Sequence, residues 1–139
     1  MNMKKILLII FAFATSFAIA QQSYTSQAGG DCSGLWGDSD CWSPSGVPGS
    51  SDTATVGTAI TISSNTSLEK LVVTSDGDVT LNGSLIIGNS AGESSNSGFI
   101  TCNADLTISD GNFSNGIGAY LIVGAGVDVV FTSGSDDTL

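Results

Sequence analysis

Arginine and histidine are absent from the sequence, and the basic side chains amount to three lysines, two of which, Lys4 and Lys5, lie at the extreme N-terminus. A chain so poor in positive charge cannot neutralise phosphates or an anionic lipid surface, which excludes nucleic acid and acidic membranes as partners. With no histidine, a metal site built on the cysteines would lack its third and fourth ligands, so no metal or other cofactor is expected. Proline occurs only twice, and from Thr53 onward no helical period appears. Long apolar runs are missing too. The longest, Ile6 to Ala14, is too short to span a bilayer with margin.

What is present begins with that run. Lys4 and Lys5, then the apolar stretch, then a small-x-small site at Ala18 and Ala20, make a secretory signal over residues 1–20 with cleavage expected after Ala20. The remaining chain keeps Lys70 against eleven Asp and two Glu, a formal charge of −12. Such an acidic surface favours solubility, cations or neutral sugars, and after signal removal no membrane insertion is expected. Gly, Ser, Thr, Asn and Asp dominate, which is the chemistry of turns and strands. In an exported protein Cys32 and Cys41, nine residues apart, are the natural disulfide pair, leaving Cys102 odd. Residues 21–51, broken by Gly29, Gly30, Pro44, Gly46, Pro48 and Gly49, form an irregular cap segment stapled by that disulfide.

Residues 52–139 carry a repeat. Shifting the chain by 21 residues aligns Val79–Ile87 with Ile100–Ile108 and Leu121–Val129. Alternate places in all three copies are apolar or Gly, among them Leu81, Cys102 and Val123, while the places between are mostly small or polar. A period of two that recurs every 21 residues describes strands whose inner faces stack in register, and the architecture that does this is a parallel β-solenoid. The alternative is an antiparallel β-sandwich, because Asn82-Gly83 between alternating runs is a strong hairpin signal. A hairpin there would send Leu85 and Ile87 to the face opposite Val79 and Leu81, which favours the solenoid. On the solenoid register Cys102 points inward as a small buried hydrophobe. The stretch Asn89–Gly98 is expected to be a polar excursion.

The run GLWGDSDCWSPSGVPGSSDTATV, Gly34 to Val56, resembles the opening segment of secreted, repeat-rich β-helical surface and adhesin-like proteins of the Bacteroidota. The resemblance implies an extracellular or cell-surface location and an adhesive or carbohydrate-related role. Proteins of that kind are usually long and often end in a type IX secretion sorting domain. A solenoid also exposes an apolar rung at each end, and the polar tail Thr132–Leu139 is too short to lay another. The chain is therefore expected to continue into a longer protein or to stack its end on another subunit.

Candidate sites are few. Trp36 and Trp42 could stack on a sugar ring, or they could cap the first rung, and rings beside a disulfide more often pack. Asp105 and Asp128, outward in successive repeats, are the one carboxylate pair that could serve glycoside hydrolysis, but no arginine, histidine or second lysine stands by to tune them. Asp76-Gly77-Asp78 and Asp110-Gly111-Asn112 look like fragments of calcium turns but fall out of step with the repeat. Asp52-Thr53-Ala54 fits a short O-glycosylation pattern at Thr53, as Asp137-Thr138-Leu139 does loosely, and N-glycosylation sequons stand at Asn65, Asn82 and Asn112.

The sequence thus points to a non-catalytic extracellular structural or adhesion module. Its partners would be extracellular glycans, another surface protein or a second copy end to end, with a carbohydrate-binding or polysaccharide-cleaving β-helix as the alternative. Mass mapping of non-reduced peptides is expected to join Cys32 to Cys41 and to leave Cys102 unbridged; Cys102 linked to either partner would contradict the inward register.

Overall fold

The computed structural model describes residues 20–88, 90, 92–109 and 112–132, so residues 1–19, which hold most of the expected signal, residues 89 and 91, Asp110-Gly111 and the tail from residue 133 lie outside the described residues. Fourteen short strands and one 3₁₀ turn make up the described chain. Two strands belong to the N-terminal segment: β1 (Ser23–Ser26) and β2 (Trp42–Ser43). Twelve follow in groups of three: β3 (Thr53–Val56), β4 (Ala59–Ile62) and β5 (Thr66–Leu68); β6 (Lys70–Val73), β7 (Asp78–Leu81) and β8 (Leu85–Ile87); β9 (Ser94–Asn96), β10 (Phe99–Cys102) and β11 (Leu106–Ile108); β12 (Phe113–Asn115), β13 (Tyr120–Val123) and β14 (Val129–Phe131). Each group is one coil, and the coils stack into a parallel β-solenoid with three sheets. Sheet A runs β12-β9-β6-β3-β1-β2, sheet B β13-β10-β7-β4 and sheet C β14-β11-β8-β5. Every pairing is parallel except β1 with β2.

The alternation seen in sequence sets the inside and the outside. Val79, Leu81, Leu85 and Ile87 are fully buried, and directly above them stand Ile100, Cys102, Leu106 and Ile108, all within 2% of full burial. Thr80, Asn82, Thr101, Asn103 and Thr107 face outward. Each fully buried Leu or Ile contributes about 1.5–3 kcal/mol relative to exposure, so a coil left without a neighbour would forfeit most of its stabilisation.

Three details differ from the sequence expectation. First, β1 lies in the segment expected to be irregular and pairs in parallel with β3, Tyr24 against Ala54, so the cap enters the sheet. Second, the stretch expected to be a polar excursion contains β9, whose Ser94 and Asn96 point inward and are fully buried. Asn96 is satisfied there: its Nδ2 donates to Asn115 Oδ1 at 2.8 Å and to the Tyr120 carbonyl at 3.0 Å, and its Oδ1 accepts from the Gly98 N–H. Third, the 21-residue shift holds for Ile100 with Leu121 but not for Leu106, which pairs with Val129 rather than Val127. The corner between β13 and β14 carries two extra residues, turning at Gly126 with φ +77°. An insertion of two leaves the in-out parity intact, so the apolar pattern does not register it.

The Asn82-Gly83 corner is a corner and not a hairpin. Asn82 and Gly83 both donate to the Ile62 carbonyl of the coil below. Glycine is required there by close approach, since a Cβ at Gly83 would stand 2.6 Å from the Ser64 carbonyl oxygen and 2.7 Å from its Cα. Outside the corner, Asn103 Nδ2 donates to Asn82 Oδ1 at 3.0 Å, linking consecutive coils.

The register has a direct consequence. Leu106→Asp places an uncompensated carboxylate in the stack and is expected to unfold the chain, a loss of about 3 kcal/mol or more, whereas Thr107→Asp on the outer face changes stability by less than about 1 kcal/mol. Thermal melts of the two variants compare them, and equal midpoints would contradict the assignment of faces.

Candidate functional site

The N-terminal cap is organised around Asp38. Its Oδ2 accepts from the Ser33 N–H at 2.8 Å and from Ser33 Oγ at 2.7 Å, and its Oδ1 accepts from the Asp40 N–H at 3.0 Å. The Ser33 hydroxyl first, then the two backbone N–H groups, hold the Asp38 carboxyl below its ordinary range. The 3₁₀ turn Ser39–Cys41 that follows brings Cys41 to Cys32, and the two are disulfide-linked.

The turn also directs the tryptophans inward. Trp42 is 0% and Trp36 4% exposed, their rings meeting edge to face at 4.8 Å. Trp42 Nε1 donates to the Trp36 carbonyl at 2.9 Å and Trp36 Nε1 to the Pro48 carbonyl at 3.3 Å. Of the two expected uses of Trp36 and Trp42, a sugar platform or a cap over the first rung, the burial fits the cap: both rings pack in the core and donate their N–H groups to the cap's own carbonyls.

The cap does not close the solenoid evenly. In sheet A, β1 covers β3. In sheet B the backbone of residues 34–36 covers β4: the Thr61 N–H donates to the Gly34 carbonyl at 2.8 Å and the Trp36 N–H to the Thr61 carbonyl at 2.9 Å. In sheet C, β5 is the outermost strand among the described residues. Between it and the cap lies a groove of about 610 Å³, with Leu35, Val47 and Pro48 on one wall and Ser64, Asn65 and Ser67 on the other. Leu35 is 46% and Val47 42% exposed, and Asp38 stands on the lining. Periodicity offered no sign of this groove, since it is formed by loop residues and a strand edge. The only hint in the sequence is the placement of two aliphatic side chains, Leu35 and Val47, among Gly, Ser and Pro.

The other nominated residues are not gathered at the groove. Asp105 and Asp128 sit on successive coils, and Asp105 Oδ1 accepts from the Asp128 N–H at 3.1 Å, which makes that carboxylate a brace between coils. Thr53 lies in β3 between β1 and β6, half-buried, its Oγ1 accepting from Gln21 Nε2. Asp52 beside it closes a turn, accepting from the Gly49 and Gln22 N–H groups. Asn65 Oδ1 accepts from the Ser84 N–H. Asp76 and Asp78 flank a tight turn, in which the Gly77 N–H donates to the Thr74 carbonyl. Among the described residues no three His, Cys, Asp or Glu side chains converge as a metal would require. No described helix is long and apolar enough to cross a membrane. A feature missed in the sequence is the outer stack of Phe99 on Tyr120, centroids 5.0 Å apart and rings nearly parallel, both substantially exposed. Their spacing of one repeat could have revealed it.

Cys102 is a buried free thiol between Leu81 and Val123 of the adjacent coils. Burial pushes its pKa from 9.0 up to about 11. Because the folded state holds this proton more tightly than the unfolded state, the contribution is fully present below pH 9.0 and is lost as pH rises toward about 11. The thermal midpoint is therefore expected to fall across that window more steeply for the parent chain than for Cys102→Ala. Identical alkaline slopes would refute the assignment.

No protein-family model, no curated protein and no solved structure matches this chain, so what its site does must be read from the geometry above.

Proposed function

We propose that the chain is a non-catalytic extracellular or cell-surface module, a stiff structural or adhesive element of the kind its resemblance to Bacteroidota surface proteins implies. The observation that carries this reading is the fourth coil. Among the described residues its strands β12, β13 and β14 are the outermost of their sheets. Its inner side chains Leu121, Val127, Val129 and Phe131 are only partly covered and Val123 is 45% exposed, whereas the equivalent places one coil below are sealed. Unpaired strand edges around an apolar centre make a stacking surface, suited to another subunit. The Cys32–Cys41 disulfide fits an oxidising compartment. The use of the Asp105 carboxylate as a brace weighs against glycoside hydrolysis. Thr53, on the outer face of sheet A, remains the proposed O-glycosylation site.

Light scattering of the chain without its N-terminal signal is expected to show association that grows with concentration in the micromolar range, and Val123→Lys is expected to suppress it without lowering the melting midpoint. A monomer at all concentrations, together with specific retention on a glycan array, would replace the structural reading with the carbohydrate-binding one.

A further inference from the structure

The end of the solenoid at which the cap sits carries a second unfinished surface, the groove along β5. We infer that this groove is a docking site for an extended, basic segment of a partner protein, which adds to sheet C as its next strand. The inference rests on the reading of the chain as a module that holds a partner, and it names the chemistry of that partner.

The backbone of β5 points to a strand as the occupant. The Thr66 N–H donates to the Ser84 carbonyl and the Leu68 carbonyl accepts from the Gly88 N–H, so Thr66 and Leu68 are committed to β8. In a strand the backbone groups of successive residues turn to opposite sides, which directs the Ser67 N–H and C=O away from β8 and toward the groove. A donor and an acceptor on one residue of an edge strand are what an incoming strand pairs with. The corresponding edges of sheets A and B are already taken, by β1 and by residues 34–36. The cap thus covers the edges of two of the three sheets, and among the described residues none pairs with the third.

The side chains around that place define the guest further. An added strand would send alternate side chains inward over Thr66 and toward Leu35 and Val47, two aliphatic groups exposed at the groove wall, so small apolar residues are wanted at every second position. Asp38 is the one charged side chain lining the groove, and its carboxylate is kept ionised by Ser33 and Asp40. Three hydrogen bonds leave the two oxygens with a free lone-pair site for a cation. The chain as a whole carries −12 once the signal is gone, which draws basic segments and repels acidic ones. A neutral sugar fits less well, because the aromatic ring at the groove, Trp36, is only 4% exposed and offers little face to stack on.

The test uses the chain without its signal and nine-residue synthetic peptides with valine at every second position and lysine, threonine or serine between. Two matched sets have glutamate for lysine or a central proline. Fluorescence anisotropy is expected to show binding of the lysine set, with the glutamate and proline sets weaker by about tenfold or more. Hydrogen exchange is expected to show the Ser67 amide unprotected in the free chain and protected in the complex. Val47→Ser and Leu35→Ser, both at exposed positions, should each weaken binding about tenfold with an unchanged melting midpoint, and Ser67→Pro should abolish it with the circular dichroism intact. Absence of binding by every alternating peptide at millimolar concentration, equal binding of the proline set, or binding without Ser67 protection would overturn the inference. So would an oligosaccharide whose binding is lost in Val47→Ser. If peptides fail while micromolar self-association persists, the docking inference alone falls; if both fail, the parent reading falls with it.

Discussion

Each coil of this solenoid has only one way to bury its inner side chains, which is to lie beneath another coil in register. Leu81 is covered by Cys102, Leu85 by Leu106, and the ladder hydrogen bonds that hold them together also keep the side chains in columns. A coil of three short strands could not stand alone, since the strands pair with other coils and not with each other. The same constraint sets the corners. Where consecutive coils approach closely, as at Gly83 over Ser64, a Cβ has no room, and where they leave space on the outside, Asn82 and Asn103 bridge them.

From this follows the composition of the cap. The first coil needs a cover, and the chain supplies it from residues 21–51 by two different devices: a parallel strand, β1, laid on sheet A, and a short stretch around Leu35 laid on sheet B. The two indoles fill the space between, and the disulfide and Asp38 hold the loop that carries them. Aromatic rings used in this way expose little area to a ligand. Among the described residues, stacking is left incomplete at the edge of β5 and on the fourth coil. The exposed Phe99–Tyr120 stack is a third outward feature, but it continues the column of sheet B and is part of the stack's own cohesion.

Polar residues enter the interior where the stack can satisfy them. Ser94 Oγ accepts from the Leu71 N–H, and Asn96 meets Asn115 in the next coil and the backbone on either side. A buried amide with unmet donors would cost more than the apolar residue it replaces, but an amide column can share hydrogen bonds from coil to coil. This is why sheet A accepts Ser94 and Asn96 beneath Phe113 and Asn115, whereas sheets B and C are lined mainly by Leu, Ile and Val, with Cys102, Thr66 and Phe131.

How much of this was legible in the sequence depends on what a period of two can carry. Alternation from Val79 to Ile87, echoed 21 residues later, determined the strand class, the parallel stacking and the inward place of Cys102, because only stacked strands turn the same residues inward at a constant interval. Composition determined the absence of arginine and imidazole chemistry, and the close cysteine spacing pointed to the pairing of Cys32 with Cys41. Parity could not reveal the two-residue insertion before Val129, which changes no face, nor the strand at Ser94–Asn96, whose inward side chains are polar. The tertiary structure alone decided that Trp36 and Trp42 are buried, that Asp105 braces Asp128, and that β5 keeps an open edge beside Leu35 and Val47. Each of these depends on which loop crosses which strand end, and a loop's path is set by long-range packing that leaves no period in the chain.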